Sequence, residues 1–351
     1  MLNRITAAMR PLARSACVAA FAATALAGTS LSVNAEQLIF NNYAPPPSPI
    51  TKVLFNYFAD QIKEKTHGEV TVTIPSTSLA PVDGAWDLVT SGGADVVNQP
   101  RYARPQQLKL AQIAELPFNT LSAEAASVAL TRTYQKYFEK FGEYKDVKLL
   151  AFSVFAGRQI MNKVRPVSTV DDYHGLKLWT TPGLLAKAVE AVGATPVVAP
   201  FPQLFEFASK GTVDGMMFTP ETAMSSQTAK YVKYYTVVPG GLGSLSFALV
   251  MNKQRWEALS PEHQKIIQDI ADTLPSVFGK AQDAAEAGAL KAMDVKVTDA
   301  SPELIAALQE RLKGFEAAWI VTAKEAGVEN PEEVLSYYKE QMKQVAAEAA
   351  K

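Results

Sequence analysis

The chain has 351 residues, with 34 basic and 35 acidic side chains, a formal net charge of −1 and 48% hydrophobic residues. The near balance of charge leaves no basic footprint for nucleic acid or for an anionic lipid surface. The length exceeds what one hydrophobic core usually serves, so two domains are expected, and the single cysteine, Cys17, excludes an intramolecular disulfide framework.

Residues 1–35 read as a secretory signal. Arg4, Arg10 and Arg14 supply the positive start, residues 16–31 are apolar and small, and Val33-Asn34-Ala35 is a small-x-small cleavage site. Cleavage is expected after Ala35, with the mature protein in the periplasm. It removes Cys17 and the three arginines, leaving 31 basic residues against 35 acidic ones in about 316 residues, a net charge near −4. The apolar run is shorter than the roughly 20 residues of a spanning helix, and no later stretch reaches that length, so no direct membrane insertion is expected.

Beyond the signal, residues 37–43 read as a strand and residues 45–49, rich in proline, as a rigid turn. Residues 50–66 carry Val53, Leu54, Tyr57, Phe58 and Ile62 at helical spacing, and residues 69–74 alternate as a strand. A short helix at 86–91 closes at Gly92-Gly93 before a strand at 94–98. Strands follow at 148–155, 176–180, 195–199 and 215–219, with helices at 182–192 and 202–210 between them. Such alternation predicts an α/β fold in which each domain is a mainly parallel sheet flanked by helices. Ligands in such sheets bind beyond the carboxyl ends of the strands, here Tyr43, the region after Ile74, and residues 98–102.

No Pro/Ser-rich linker separates the halves, which points to strands that cross directly between domains, and residues 246–252 read as one. Ser260-Pro261-Glu262 then opens a helix, with Ser as N-cap and Pro at the first position. It runs to Lys291, long enough at roughly 45 Å to brace both domains. Helices at 302–326 and 331–349 complete the chain.

Sites for chemistry are weakly represented. His67, His174 and His263 stand apart, without acid or cysteine partners at ligand spacing, so neither metal nor cofactor is expected. Gly240-Gly241-Leu242-Gly243 lacks the Lys-Ser/Thr of a phosphate loop, and no serine sits in a nucleophile elbow. A secreted hydrolase therefore has no convincing catalytic set, and no enzyme is expected.

A series of short motifs gives the sharper lead. Leu116-Pro117-Phe118, Gly157-Arg158 with Asn162, Arg165-Pro166, Asp172-Tyr173-His174-Gly175-Leu176-Lys177, Gly193-Ala194-x-Pro196 and Gly211-x-Val213-Asp214-Gly215 occur in this order and spacing. With them the chain resembles the extracytoplasmic substrate-binding proteins of tripartite ATP-independent periplasmic (TRAP) transporters, the DctP family, over its whole mature length. The resemblance implies a monomeric two-lobed receptor that closes on a small organic solute and hands it to the membrane subunits of a permease. A ligand-sensing partner of a membrane receptor would use the same fold. Lobe limits are expected at 36–155 plus about 244–280 for the first lobe and 156–243 plus about 281–351 for the second.

The resemblance also implies an anion clamp, an arginine after Gly-Leu-Lys-(Ile/Leu). That position is Trp179 here, while a second family arginine is matched by Arg158. Downstream, the polar run usual in the family reads Met216-Met217-Phe218-Thr219-Pro220-Glu221. Trp179 and Phe218 as walls with Glu221 as counter-charge favour a small amine, such as ethanolamine, through cation–π attraction. The alternative is an organic acid held by Arg158. Tyr43, Trp86 and Tyr102, near other strand ends, complete the expected binding residues.

Overall fold

The computed structural model describes residues 35–46 and 48–349. The expected signal segment with Cys17 and the residue Pro47 lie outside them. Three sheets carry the architecture. A parallel pair, β1 (Glu36–Ile39) and β2 (Val70–Thr73), adjoins β3 (Val96–Pro100) through a bridge from Phe40 to Val96. β3 belongs to a three-stranded sheet with β4 (Val147–Val154) and β10 (Ser246–Asn252), in the order β3-β10-β4. The third sheet contains β5 (Gln159–Asn162), β6 (Lys177–Thr180), β7 (Thr195–Val198), β8 (Gly215–Phe218), β9 (Tyr234–Val237) and β11 (Lys296–Asp299), in the order β11-β9-β5-β8-β6-β7.

The six-stranded sheet is mainly parallel, as expected, and one antiparallel strand interrupts each of the two larger sheets. β10 lies antiparallel to both neighbours, and β5 lies antiparallel to β8 and β9. The cause is a two-stranded ribbon that joins the sheets. From the β4–β10 ladder it continues as Phe155 N–H to Leu245 O at 3.0 Å, Arg158 N–H to Gly243 O at 2.8 Å and Leu242 N–H to Arg158 O at 2.9 Å, and then enters the β5–β9 pairing. A chain that leaves one sheet and returns along its own path must re-enter in the opposite sense. The crossing segments are thus 155–158 and 238–245, and β10 itself stays within one sheet.

Where residues 238–241 bulge from this ribbon, the Gln159 side chain stands in for lost backbone partners. Its Nε2 donates to Val238 O at 2.8 Å and its Oε1 accepts from Val238 N–H at 3.1 Å. The bulge demands glycine: Gly241 has φ +72°, and a Cβ there would meet Gly157 Cα at 2.6 Å.

Helices cover the sheet faces. A wide π-type stretch, Ile50–Tyr57, runs into α1 (Phe58–Lys65), and α2 (Ala85–Thr90) and α3 (Ala123–Thr133) pack on the three-stranded side. α4 (Leu184–Ala191), α5 (Leu204–Ser209) and α6 (Pro220–Ser225) accompany the six-stranded sheet, whose two faces bury alternate residues. Ile160, Leu178 and Met217 join one hydrophobic cluster, whereas Met161, Trp179, Met216 and Phe218 join another. Burial of both faces explains why these strands read as nearly continuous apolar runs.

After α7 (Lys253–Ala258), the 32-residue α8 (Pro261–Ala292) runs as expected from its Ser260 cap. It packs against α1, α3 and β4 on one side and α6 on the other, so it braces both sheets. The helix expected at 302–326 is two, α9 (Pro302–Leu312) and α10 (Gly314–Glu325), parted around Lys313-Gly314. α11 (Pro331–Ala349) lies along α3.

Candidate functional site

A cavity of about 80 Å³ lies where the ribbon, both kinds of sheet and α6 converge. Its lining comes from strand ends: Tyr43 beyond β1, Tyr102 beyond β3, Thr181 beyond β6, Phe218 at the end of β8 and Glu221 in the helix that follows. Phe155, Phe201 and Phe247 join Tyr43, Tyr102 and Phe218, so six aromatic rings face a space with few polar groups. A wider groove of about 720 Å³ between Tyr134, Lys148 and Asp272 is built by α3, β4, the segment that joins them and α8, and so does not lie between the two large sheets.

Arg158 sits in the ribbon with its backbone held on both sides, so its side chain is aimed by the crossing itself. The residue is 3% exposed, and Nε and Nη1 have no hydrogen-bond partner among the described residues. Its guanidinium carbon lies 5.0 Å from the Phe218 ring centre and 5.8 Å from that of Phe155. Burial lowers its pKa to about 10, against the pull of Glu286, Tyr102 and Glu221, so it remains cationic at neutral pH.

Two carboxyl groups stand near without bonding to it. Glu221 lines the cavity, its pKa raised by burial and restrained by Ser225, Gln282 and Thr222. Glu286, on α8, accepts the Glu221 backbone N–H at 2.8 Å and a Gln282 Nε2 hydrogen bond at 2.6 Å. Burial pushes the Glu286 carboxyl up to about 7. The Tyr43 hydroxyl accepts from Asn98 Nδ2 at 3.1 Å. Burial raises both lining phenols, Tyr102 to about 12 and Tyr43 also well above its ordinary value.

Five of the seven expected residues, Tyr43, Tyr102, Arg158, Phe218 and Glu221, therefore share one cavity. Trp86 and Trp179 do not line it. Trp86, on α2, packs with Tyr144 in the core beside the three-stranded sheet, ring centres 6.2 Å apart. Trp179 is fully buried behind the cavity wall, edge-on to Phe218 at 4.9 Å and to Phe201 at 6.3 Å. Thr181 was not foreseen: it lines the cavity, is 7% exposed, and its Oγ1 lacks a partner among the described residues. A lone threonine after a strand gives no signal in sequence. Among the described residues no cluster of three or more His, Cys, Asp or Glu is placed to hold a metal, and no helix is long and apolar enough to cross a membrane.

Two mixed α/β lobes joined by a ribbon, with a buried aromatic cavity holding a partnerless cation, define a receptor that encloses a small organic solute. Residues 40–321 match bacterial extracellular solute-binding protein, family 7, and the chain belongs to this DctP family of TRAP solute-binding proteins. It is 33% identical over 93% of its length, and 97% of the relative's, to the outer membrane transporter protein TsaT of Comamonas testosteroni. A TRAP periplasmic solute-binding protein of Bordetella bronchiseptica with bound (R)- and (S)-mandelate superposes with a TM-score of 0.83 at 30% identity, covering 88% of this chain and 99% of that one. A marine metagenome TRAP protein specific for aromatic acid ligands, in complex with meta-hydroxyphenylacetate, gives 0.80 at 28% identity over 88% and 99% of the two chains. The protein is thus a transport receptor of the extracytoplasmic space and not an enzyme.

Proposed function

We propose that this receptor binds an aromatic monocarboxylate, with the carboxylate on Arg158 and Thr181 and the ring among the phenylalanines, and delivers it to the membrane subunits of a TRAP permease. The observation that carries this reading is the buried guanidinium of a residue that lines an aromatic cavity, with two nitrogens unpartnered among the described residues. A buried, unsatisfied cation is costly, and a carboxylate relieves that cost with charge-assisted hydrogen bonds. The Thr181 hydroxyl is a second donor without a protein partner.

The amine reading loses its support. It needed Trp179 in the wall, and Trp179 lies behind Phe218; it also needed the negative charge to dominate, whereas an ammonium here would face Arg158. The aromatic acids held by the Bordetella bronchiseptica and marine metagenome relatives favour the same ligand class. The cavity, at about 80 Å³, is smaller than the roughly 150 Å³ that accommodates benzene in an engineered protein core. Entry of a ring therefore requires the lobes to part along the ribbon, consistent with a receptor that closes on its ligand.

The lobe limits that sheet membership supports are residues 36–154 with β10, α7 and the first part of α8 on one side, and β5 to β9 with β11 on the other. Because α11 packs on α3, it groups with the first lobe. A thermal-shift panel of benzoate, phenylacetate, acetate, succinate and ethanolamine tests the ligand class. The aromatic monocarboxylates are expected to raise Tm most, and stabilisation by ethanolamine alone would reject the reading.

A further inference from the structure

We infer that Tyr43, held by Asn98, forms a second polar pole of the cavity that recognises a neutral hydroxyl on the ligand ring, so that the cargo is a hydroxylated aromatic monocarboxylate. This rests on the carboxylate reading above and names the substituent that reading leaves open.

The geometry of the pair defines its chemistry. The Tyr43 oxygen already accepts from Asn98 Nδ2 at 3.1 Å, which leaves the phenol proton for another acceptor. Asn98 is 0% exposed and its Oδ1 has no partner among the described residues, so an unused acceptor stands on the same buried side chain that orients the phenol. The Tyr43 ring is fixed edge-on to Phe55, ring centres 6.2 Å apart. A ligand hydroxyl is both donor and acceptor and suits such a site, whereas a bare ring edge leaves it unsatisfied.

The pole is separate from the carboxylate end. Tyr43 follows β1 and packs on Phe55, whereas Arg158 projects from the ribbon against Phe155 and Phe218, so the two enter the cavity from different elements. Among the described lining residues Arg158 is the one cation and Glu221 the one acid, with both phenols kept neutral by burial. A second carboxylate at the Tyr43 end would be stripped of water with no cation to receive it. The site therefore selects a hydroxyl over a second acid group at that end.

Calorimetric titration of the full mature protein with benzoate, 3-hydroxybenzoate, 4-hydroxybenzoate, isophthalate and terephthalate tests this. One hydroxybenzoate is expected to bind about tenfold tighter than benzoate, the gain of one well-placed hydrogen bond, and both dicarboxylates more weakly than benzoate. In Tyr43→Phe the hydroxybenzoate-to-benzoate ratio should fall to about one. Equal affinity for benzoate and both hydroxybenzoates, tighter binding of a dicarboxylate, or a preference that survives in Tyr43→Phe would overturn the inference while leaving the carboxylate reading intact. If no aromatic carboxylate binds, that reading fails and this one with it.

Discussion

Arg158 is cationic at neutral pH yet buried, with Nε and Nη1 unpartnered and two carboxyl groups close but not bonded to it. The nearest acids moderate it in a pH-dependent way. Glu286, at about 7, is largely protonated on the acid side of neutrality and ionised above it. An ionised Glu286 repels an arriving carboxylate, so affinity is highest at low pH and is lost as pH rises through about 7. Calorimetry should record a fall of about fivefold from pH 6 to pH 8, and Glu286→Gln should flatten it; affinity that rises with pH contradicts the account. The same raised value means the folded state favours protonated Glu286. Its contribution to stability is thus full below the unfolded pKa and lost as pH climbs through about 7. Glu221, raised in the same direction, and Tyr235, raised by burial and then by Glu286, share this environment.

Trp179 gives the opposite case at the same scale. With Met161, Met216 and Phe218 around it, it is core. Restoring the family's arginine as Trp179→Arg would bury an unpaired guanidinium, at a cost on the order of 3–5 kcal/mol. Thermal denaturation should show a large fall in Tm, and a stable variant with tighter carboxylate binding would return position 179 to the cleft. Sequence placed Trp179 in the wall because it fills the position of a ligand-binding arginine. A strand covered on both faces, as β6 is with Leu178 and Trp179 in different clusters, gives no period-two signal to say which way a residue points. Trp86 failed for a related reason: six residues of α2 are too few to define an apolar face. Tyr43, Tyr102 and Phe218 were legible because strand ends mark the binding side of such sheets, whatever the residue.

At the scale of elements, helix caps and periodicity were read well, as the Ser260-Pro261 start of α8 shows, while the two antiparallel strands, β5 and β10, were not. The direction of β10 depends on where the chain comes from, and nothing in Ser246–Asn252 encodes that. α8 also carries a packing requirement visible only in three dimensions. A Cβ on Gly279 would meet Glu124 Cα at 2.2 Å, so α3 and α8 touch backbone to side where Gly279 stands. Gly279→Ala must push them apart and is expected to destabilise the protein by about 1–3 kcal/mol. Urea unfolding would measure this, and an unchanged midpoint would mean the two helices do not cross so closely.

Across the whole molecule, one ribbon is, in the proposed reading, both mechanical joint and ligand anchor. Residues 155–158 and 238–245 link the two large sheets, and Arg158 projects from that link into the cavity, so a ligand on its guanidinium is held at the joint while other lining groups come from either side. Ligand contacts on both lobes favour the closed form by their differential affinity for it. The proposed ligand class therefore depends on the charged side chain at the joint. Calorimetric titration of benzoate into the wild-type protein and Arg158→Gln, with ethanolamine as the comparison ligand, tests that dependence most directly. Saturable benzoate binding that weakens on the order of 100-fold in Arg158→Gln, with no heat from ethanolamine, is the predicted result. Benzoate affinity unchanged by Arg158→Gln, or saturable binding of ethanolamine in place of benzoate, would contradict it.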